Sequence, residues 1–260
     1  MKPKILVLTG YGINCDYETQ HAFNLVGGDA KRVHINDLID KAENLDDYHI
    51  IAFPGGFSFG DDISSGKVLA NKIKFNIFEE VQKFIDDGKI IIGICNGFQS
   101  MVKLGILPAF ERNYKRQTVT LTFNDSGRFE DRWVYLKSNP KSRCIFTKNI
   151  GVIYLPVRHG EGKFVASNMF LQRLNKNNQI AFWYVDEKEN PAGYPWNPNG
   201  SLENIAGICD ETGRIFGLMP HPEAYLYRTN HPRWTREKIS DEGMGVKVFR
   251  NAVEFIEEKF

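Results

Sequence analysis

Two short segments carry residues whose types and spacing suit thiol chemistry. The first is Ile91-Ile92-Gly93-Ile94-Cys95-Asn96-Gly97-Phe98-Gln99. An apolar run that ends in Gly-x-Cys-x-Gly and passes at once into a helical pattern has the form of a nucleophile elbow. Such a turn lifts the sulfur to the carboxyl end of a sheet, and Gly93 and Gly97 leave room for close backbone approach. Unpaired N–H groups and the positive dipole end of the following helix favour thiolate, the reactive form. The N–H of Asn96 is placed to help hold an oxyanion. A free cysteine taken alone would be read as inert packing; the glycines on both sides, at a strand–helix junction, favour a nucleophile. Cys15, Cys144 and Cys209 lack such surroundings and are assigned to structure.

The second segment is Leu218-Met219-Pro220-His221-Pro222-Glu223. A reactive thiol needs a histidine as proton partner, and that histidine needs a group to fix its tautomer. Pro220 and Pro222 hold the chain extended, and in an extended chain residues i and i+2 point the same way. The His221 imidazole and the Glu223 carboxylate can therefore meet. A strand over Ile215–Met219 delivers them to one edge of a sheet. If it runs parallel to Lys89–Ile94, they arrive at the same end as Cys95.

The elements that would position these groups follow from the hydrophobic pattern. Strands are predicted at Lys4–Thr9, Ala30–Ile35, His49–Phe53 and Lys89–Ile94. Helices are predicted at Tyr17–Val26 (capped by Asp16), Asp62–Ile73, Ile77–Asp86 and Gly97–Leu104. Strands alternating with helices imply a mostly parallel sheet covered on both faces. Beyond Pro108 the pattern turns to strands, at Thr118–Phe123, Trp133–Leu136, Val152–Val157, Ile180–Tyr184, Ile205–Ile208 and Ile215–Met219. Only Val246–Lys259 reads as helical again. The expectation is an α/β core, a β-rich second half packed against it, and a closing helix, with residues 1–260 forming one domain.

Composition narrows the function classes. Lys and Arg total 33 against 32 Asp and Glu, so no global field attracts nucleic acid or an anionic membrane. No stretch approaches the roughly 20 apolar residues of a membrane span, and the short run Ile5–Leu8 does not form a secretion signal, which points to the cytoplasm. The four cysteines form no CxxC pair, so neither a disulfide framework nor a metal site is expected.

Taken with their order in the chain, these motifs resemble the class I (triad) glutamine amidotransferases. Within that family the match is nearest to the glutaminase subunits of phosphoribosylformylglycinamidine synthases. Four segments carry it: Gly10-Tyr11-Gly12-Ile13-Asn14-Cys15-Asp16, Phe53-Pro54-Gly55-Gly56-Phe57-Ser58-Phe59-Gly60-Asp61-Asp62, Cys95-Asn96-Gly97-Phe98-Gln99 and His159-Gly160-Glu161-Gly162. The resemblance implies a flavodoxin-like fold whose sheet gains strands from the second half, with Cys95 as nucleophile, His221 as acid/base and Glu223 as its orienter. It implies oxyanion donors at Gly56 and Asn96, and a glutamine site touching Gly55, Gln99, His159 and Gly160, although a purely structural turn is the other reading of His159 and Glu161. The Arg- and aromatic-rich segment Tyr225–Gly243 reads equally as an interface or as a plain exposed loop.

No phosphate-binding Gly-x-x-x-x-Gly-Lys-Ser/Thr loop is present. The resemblance accordingly places ATP and magnesium on a separate synthase large subunit, often joined by a small accessory subunit, and gives this chain no cofactor. Two readings of the same elbow stand beside it: the glutaminase of another amidotransferase, or a stand-alone cysteine hydrolase or peptidase.

Overall fold

A computed structural model describes all residues 1–260. Strands β1 (Lys4–Thr9), β2 (Asp29–His34), β3 (Ile50–Phe53) and β4 (Ile90–Ile94) are joined by helices α1 (Asp16–Leu25), α2 (Ile35–Ile39), α3 (Lys67–Asn76) and α4 (Phe78–Asp86). Helix α5 (Asn96–Leu104) follows β4 directly. Then come β5 (Val119–Thr122), β6 (Glu130–Ser138), β7 (Val152–His159), β8 (Lys163–Ala166), α6 (Asn168–Lys176), β9 (Ile180–Val185), β10 (Ile205–Cys209), β11 (Ile215–Leu218) and α7 (Val246–Lys259).

Nine strands form one sheet in the order β2-β1-β3-β4-β11-β10-β9-β6-β7, while β5 and β8 pair separately. The second half therefore joins the α/β core within one sheet, as the resemblance implies. Its strands extend the same sheet edgewise from β4. Strand β11 lies parallel to β4, with Leu218 opposite Ile94 and Ile215 opposite Ile91. From β11 to β7 each step is antiparallel, so after four reversals β7 runs in the direction of β4. The carboxyl ends of β3, β4, β11 and β7 thus share one sheet edge.

Strand β4 is buried along its whole length, as the continuous apolar run Ile90–Ile94 requires of a central parallel strand. Each fully buried isoleucine there contributes about 2 kcal/mol. A single cluster of 71 buried side chains joins both halves of the chain. No helix is long and apolar enough to cross a membrane.

Several predicted elements are displaced. Asp62 does not start a helix: Ser58–Asp61 forms a short 3-10 turn and α3 begins after Gly66. Tertiary hydrogen bonds override local propensity in this stretch, since the Ser58 N–H donates to Asn96 Oδ1 and the Ser65 N–H to Glu161 Oε2. Helices α2 and α6 and strand β8 were not anticipated. The first is short, and α6 buries only Leu171 and Leu174, too little for a clear period. His231 is buried beside Trp133, Tyr154 and Tyr225. The segment Tyr225–Gly243 is pinned at its base, where the Gly243 N–H donates to the Leu226 carbonyl at 2.9 Å.

Candidate active site

At the elbow, Cys95 adopts φ 52° and ψ −106°, a backbone conformation costly for any side-chain-bearing residue. Its N–H donates to the Leu218 carbonyl at 2.8 Å, so β11 itself holds the turn. The flanking glycines are obligatory. A Cβ on Gly97 would stand 1.9 Å from the Phe53 carbonyl oxygen, and one on Gly93 would stand 2.3 Å from Met101 Sδ.

One strand over, the chain leaves β11 through Met219 and Pro220, and the His221 N–H is fixed to the Pro156 carbonyl of β7 at 2.9 Å. His221 Nδ1–H donates to Glu223 Oε1 at 2.5 Å, with both side chains buried. Burial opposes charge on the ring. The Glu223 carboxylate outweighs it, aided by the Cys95 and Cys15 sulfurs, and holds His221 well above the ordinary histidine range. The Cys15 sulfur lies within 4.8 Å of the nearest ring nitrogen, the Cys95 sulfur is close enough for its charge to act on the ring, and Nε2 makes no hydrogen bond. A loose thiol–imidazole contact of this kind is usual before substrate tightens it. The structure thus brings Cys95, His221 and Glu223 to one place.

Cys15 is the residue that sequence reasoning misplaced. Assigned to structure, it lies against the His221 ring, because the opening loop is laced to the glycine-rich loop. The Asn14 and Cys15 N–H groups donate to the Gly55 carbonyl at 3.3 and 3.1 Å, and the Phe57 N–H donates to the Gly12 carbonyl at 2.8 Å. No local pattern around Cys15 signals this; only the pairing of two distant loops does. The same bonds flank Gly56, which pairs with Ile13 at φ 146°, and leave the Gly56 amide itself outside the pairing. A Cβ on Gly55 would stand 2.8 Å from His221 Cε1, so that glycine backs the imidazole.

The Asn96 side chain ties the elbow to this loop, accepting from the Ser58 N–H and donating to Asp61 Oδ1 at 3.0 Å and Gln99 Oε1 at 3.1 Å. Gln99 in turn donates to the Glu161 carbonyl. Segment Arg158–Gly162 lies over the elbow, with the Cys95 thiol 3.7 Å from the Arg158 carbonyl oxygen. Gly160 faces open space on every side where a Cβ would go.

The His159 ring points inward. Its Nδ1–H donates to Asn124 Oδ1 at 3.1 Å, and Asn199 Nδ2 donates to Nε2 at 3.4 Å. Burial pushes His159 down to about 3, and the charge on His221 adds to that, so the ring stays neutral and serves both contacts. Where the sequence suggested a substrate contact, the imidazole instead supports the loop from behind.

A concavity of about 540 Å³ bordered by Lys137, Asn139, Cys144 and Lys148 lies elsewhere. It opens at the end of β6 and the start of β7, the opposite sheet edge from Cys95, and holds none of these groups.

The family model of the CobB/CobQ-like glutamine amidotransferase domain matches residues 2–256. The chain is 48% identical over 265 residues to phosphoribosylformylglycinamidine synthase subunit PurQ of Methanococcus maripaludis, with 97% of each chain covered. It is 48% identical over 254 residues to the subunit of the same name from Dehalococcoides mccartyi, with 98% of each covered. Among solved structures, a chain of PurLQS from Thermotoga maritima superposes with a TM-score of 0.73 at 31% identity, covering 98% of this chain and 100% of that one. A glutamine amidotransferase from the same organism, at 14% identity and a TM-score of 0.57 with both chains fully covered, shares the fold. With its mixed sheet built on a parallel core, its strained cysteine elbow and these relatives, the chain belongs to the glutamine amidotransferase family.

Proposed function

We propose that this chain is the glutaminase subunit of a phosphoribosylformylglycinamidine synthase. It releases ammonia from glutamine and supplies it to an ATP-dependent synthase subunit in purine biosynthesis. One observation carries the chemistry: Cys95, at the elbow just after β4, and the His221–Glu223 pair, after the parallel strand β11, converge at one sheet edge. The full-length likeness to PurQ subunits supports the narrower choice of synthase.

The Cys95 thiolate attacks the side-chain amide carbon of glutamine, forming a carbon–sulfur bond and a tetrahedral oxyanion. The amides of Gly56 and Asn96 hold that oxyanion, the latter at the start of α5 where no intrahelical acceptor exists. Protonated His221, charged because Glu223 stands behind it, gives its proton to the departing nitrogen. Ammonia leaves and a γ-glutamyl thioester remains. Neutral His221 then takes a proton from water, which attacks the thioester, and glutamate departs as the thiolate re-forms. Glutamine would lie between Gly55, Gln99 and the Arg158–Gly162 loop. Gly160 leaves space for it, and His159 holds the loop in place. No step calls for a metal or nucleotide from this chain, so ATP and magnesium belong to the synthase subunit. The reactive thiol suits a reducing compartment, the cytoplasm. We take residues 1–260 as one domain.

The centre is closed: Cys95 is 4% exposed and the Arg158 carbonyl covers its sulfur. Glutamine can enter only when that loop moves, and a partner docked beside it would favour the open form. The isolated chain is therefore expected to hydrolyse glutamine slowly, with turnover rising about tenfold or more on addition of the synthase subunit. Steady-state glutamate release, with and without that subunit, tests the assignment. Equal turnover would contradict it and favour a hydrolase that acts alone.

A further inference from the structure

We propose that Cys15, His221 and Glu223 form a binding site for zinc ion that shuts the active centre. One donor atom from each lies within 4.8 Å of the others. In a tetrahedral zinc site, donors at 2.0–2.3 Å from the metal stand about 3.4–3.8 Å apart, so the 2.5 Å His221–Glu223 pair opens and the Cys15 sulfur moves in, each by roughly an ångström, to admit the ion. The donor set is a thiolate, an imidazole and a carboxylate, the combination zinc favours. The ion replaces the proton between His221 Nδ1 and Glu223 Oε1, and the buried Glu223 Oε2, which has no hydrogen-bond partner, is free to join the shell. Cys15 is half-buried and thus reachable from solvent, whereas Cys95 is not.

The positions of the three residues are fixed independently of any metal. Cys15 caps α1, and its N–H is bound to the Gly55 carbonyl. His221 is fixed to β7 through its own N–H, and Glu223 sits in a short 3-10 turn. Binding displaces the Cys15 thiol proton and the proton on the coordinating ring nitrogen, and both pass to buffer. With two protein anions, the bound dication is neutralised. A metal on His221 Nδ1 takes the place of the Glu223 hydrogen bond that orients the ring on which the proposed hydrolysis depends, so inhibition is the functional consequence. We assign three protein ligands and a water in the fourth position, which leaves Cys95 outside the shell.

The site is tested on the full chain by titrating zinc against a chromophoric chelator, and cobalt by its thiolate charge-transfer absorption. The expected result is one ion per chain and a thiolate–cobalt band. Cys15→Ser should abolish the band and weaken zinc binding about tenfold or more, while Cys95→Ala keeps both. In the glutaminase assay zinc should inhibit the wild type reversibly, with activity restored by chelator, and the Cys15→Ser variant should resist. Glu223→Gln provides a second, thiol-preserving variant expected to weaken zinc if Cys15→Ser proves unstable. Unchanged zinc binding in Cys15→Ser or Glu223→Gln, or a band lost in Cys95→Ala, would overturn the assignment. The binding readouts do not depend on which reaction the centre performs, so their failure is separable from failure of the glutaminase reading.

Discussion

Cys95→Ala is expected to lower glutamine hydrolysis by about 10⁵-fold or more while synthesis from supplied ammonia by the assembled complex continues. The argument is local. The strained φ of 52° at the elbow involves no atom beyond Cβ, so alanine preserves the turn, the Leu218 hydrogen bond and the packing of Gly93 and Gly97. Only the sulfur is lost, and with it the covalent intermediate. Oxyanion donors and substrate contacts remain and would account for a residual rate above that in water. The two activities, glutamine-dependent and ammonia-dependent, are measured on the same preparation. Retained glutamine-dependent turnover would show that another group is the nucleophile.

Glu223→Gln should be nearly as damaging, at about 10⁴-fold in kcat, the size seen when a buried carboxylate behind a catalytic imidazole becomes an amide. Glu223 opposes the burial that would otherwise strip the proton from His221, and holds the ring well above its ordinary range. In the wild type the ring proton persists above about pH 6.5, the ordinary histidine value. The stability this proton contributes is complete below that pH and is lost as pH rises through the higher folded-state value. Without the carboxylate, burial prevails and the ring is neutral at lower pH. The alkaline limb of the pH–rate profile, where His221 can no longer protonate the leaving nitrogen, should move to lower pH. Glutamine and asparagine variants at surface acids would not shift that limb, so the profile distinguishes an orienting carboxylate from general weakening of the fold.

The parts of the fold legible in sequence were those where one pattern dominates. The apolar run at β4, the amphipathic period of α7 and the glycines around Cys95 each point to one structure. The convergence of Cys95 with His221 needed a condition, that β11 run parallel to β4, and the register of Leu218 with Ile94 meets it. What escaped depends on contacts between distant segments. Gly66 starts α3 because the stretch before it is tied to Asn96 and Glu161. His159 turns inward because Asn124 and Asn199 satisfy both ring nitrogens. Cys15 meets His221 only because two loops separated by some forty residues are laced through the Gly55 carbonyl. Spacing along the chain carries none of this information.

The most direct test of the central claim is peptide mapping by mass spectrometry after exposure to a diazo-ketone analogue of glutamine. A single adduct on Cys95, suppressed by excess glutamine and slowed in the Glu223→Gln variant, is the predicted outcome. An adduct on Cys15 instead, or labelling that glutamine does not suppress, would contradict the assignment of Cys95 as the nucleophile of a glutamine site.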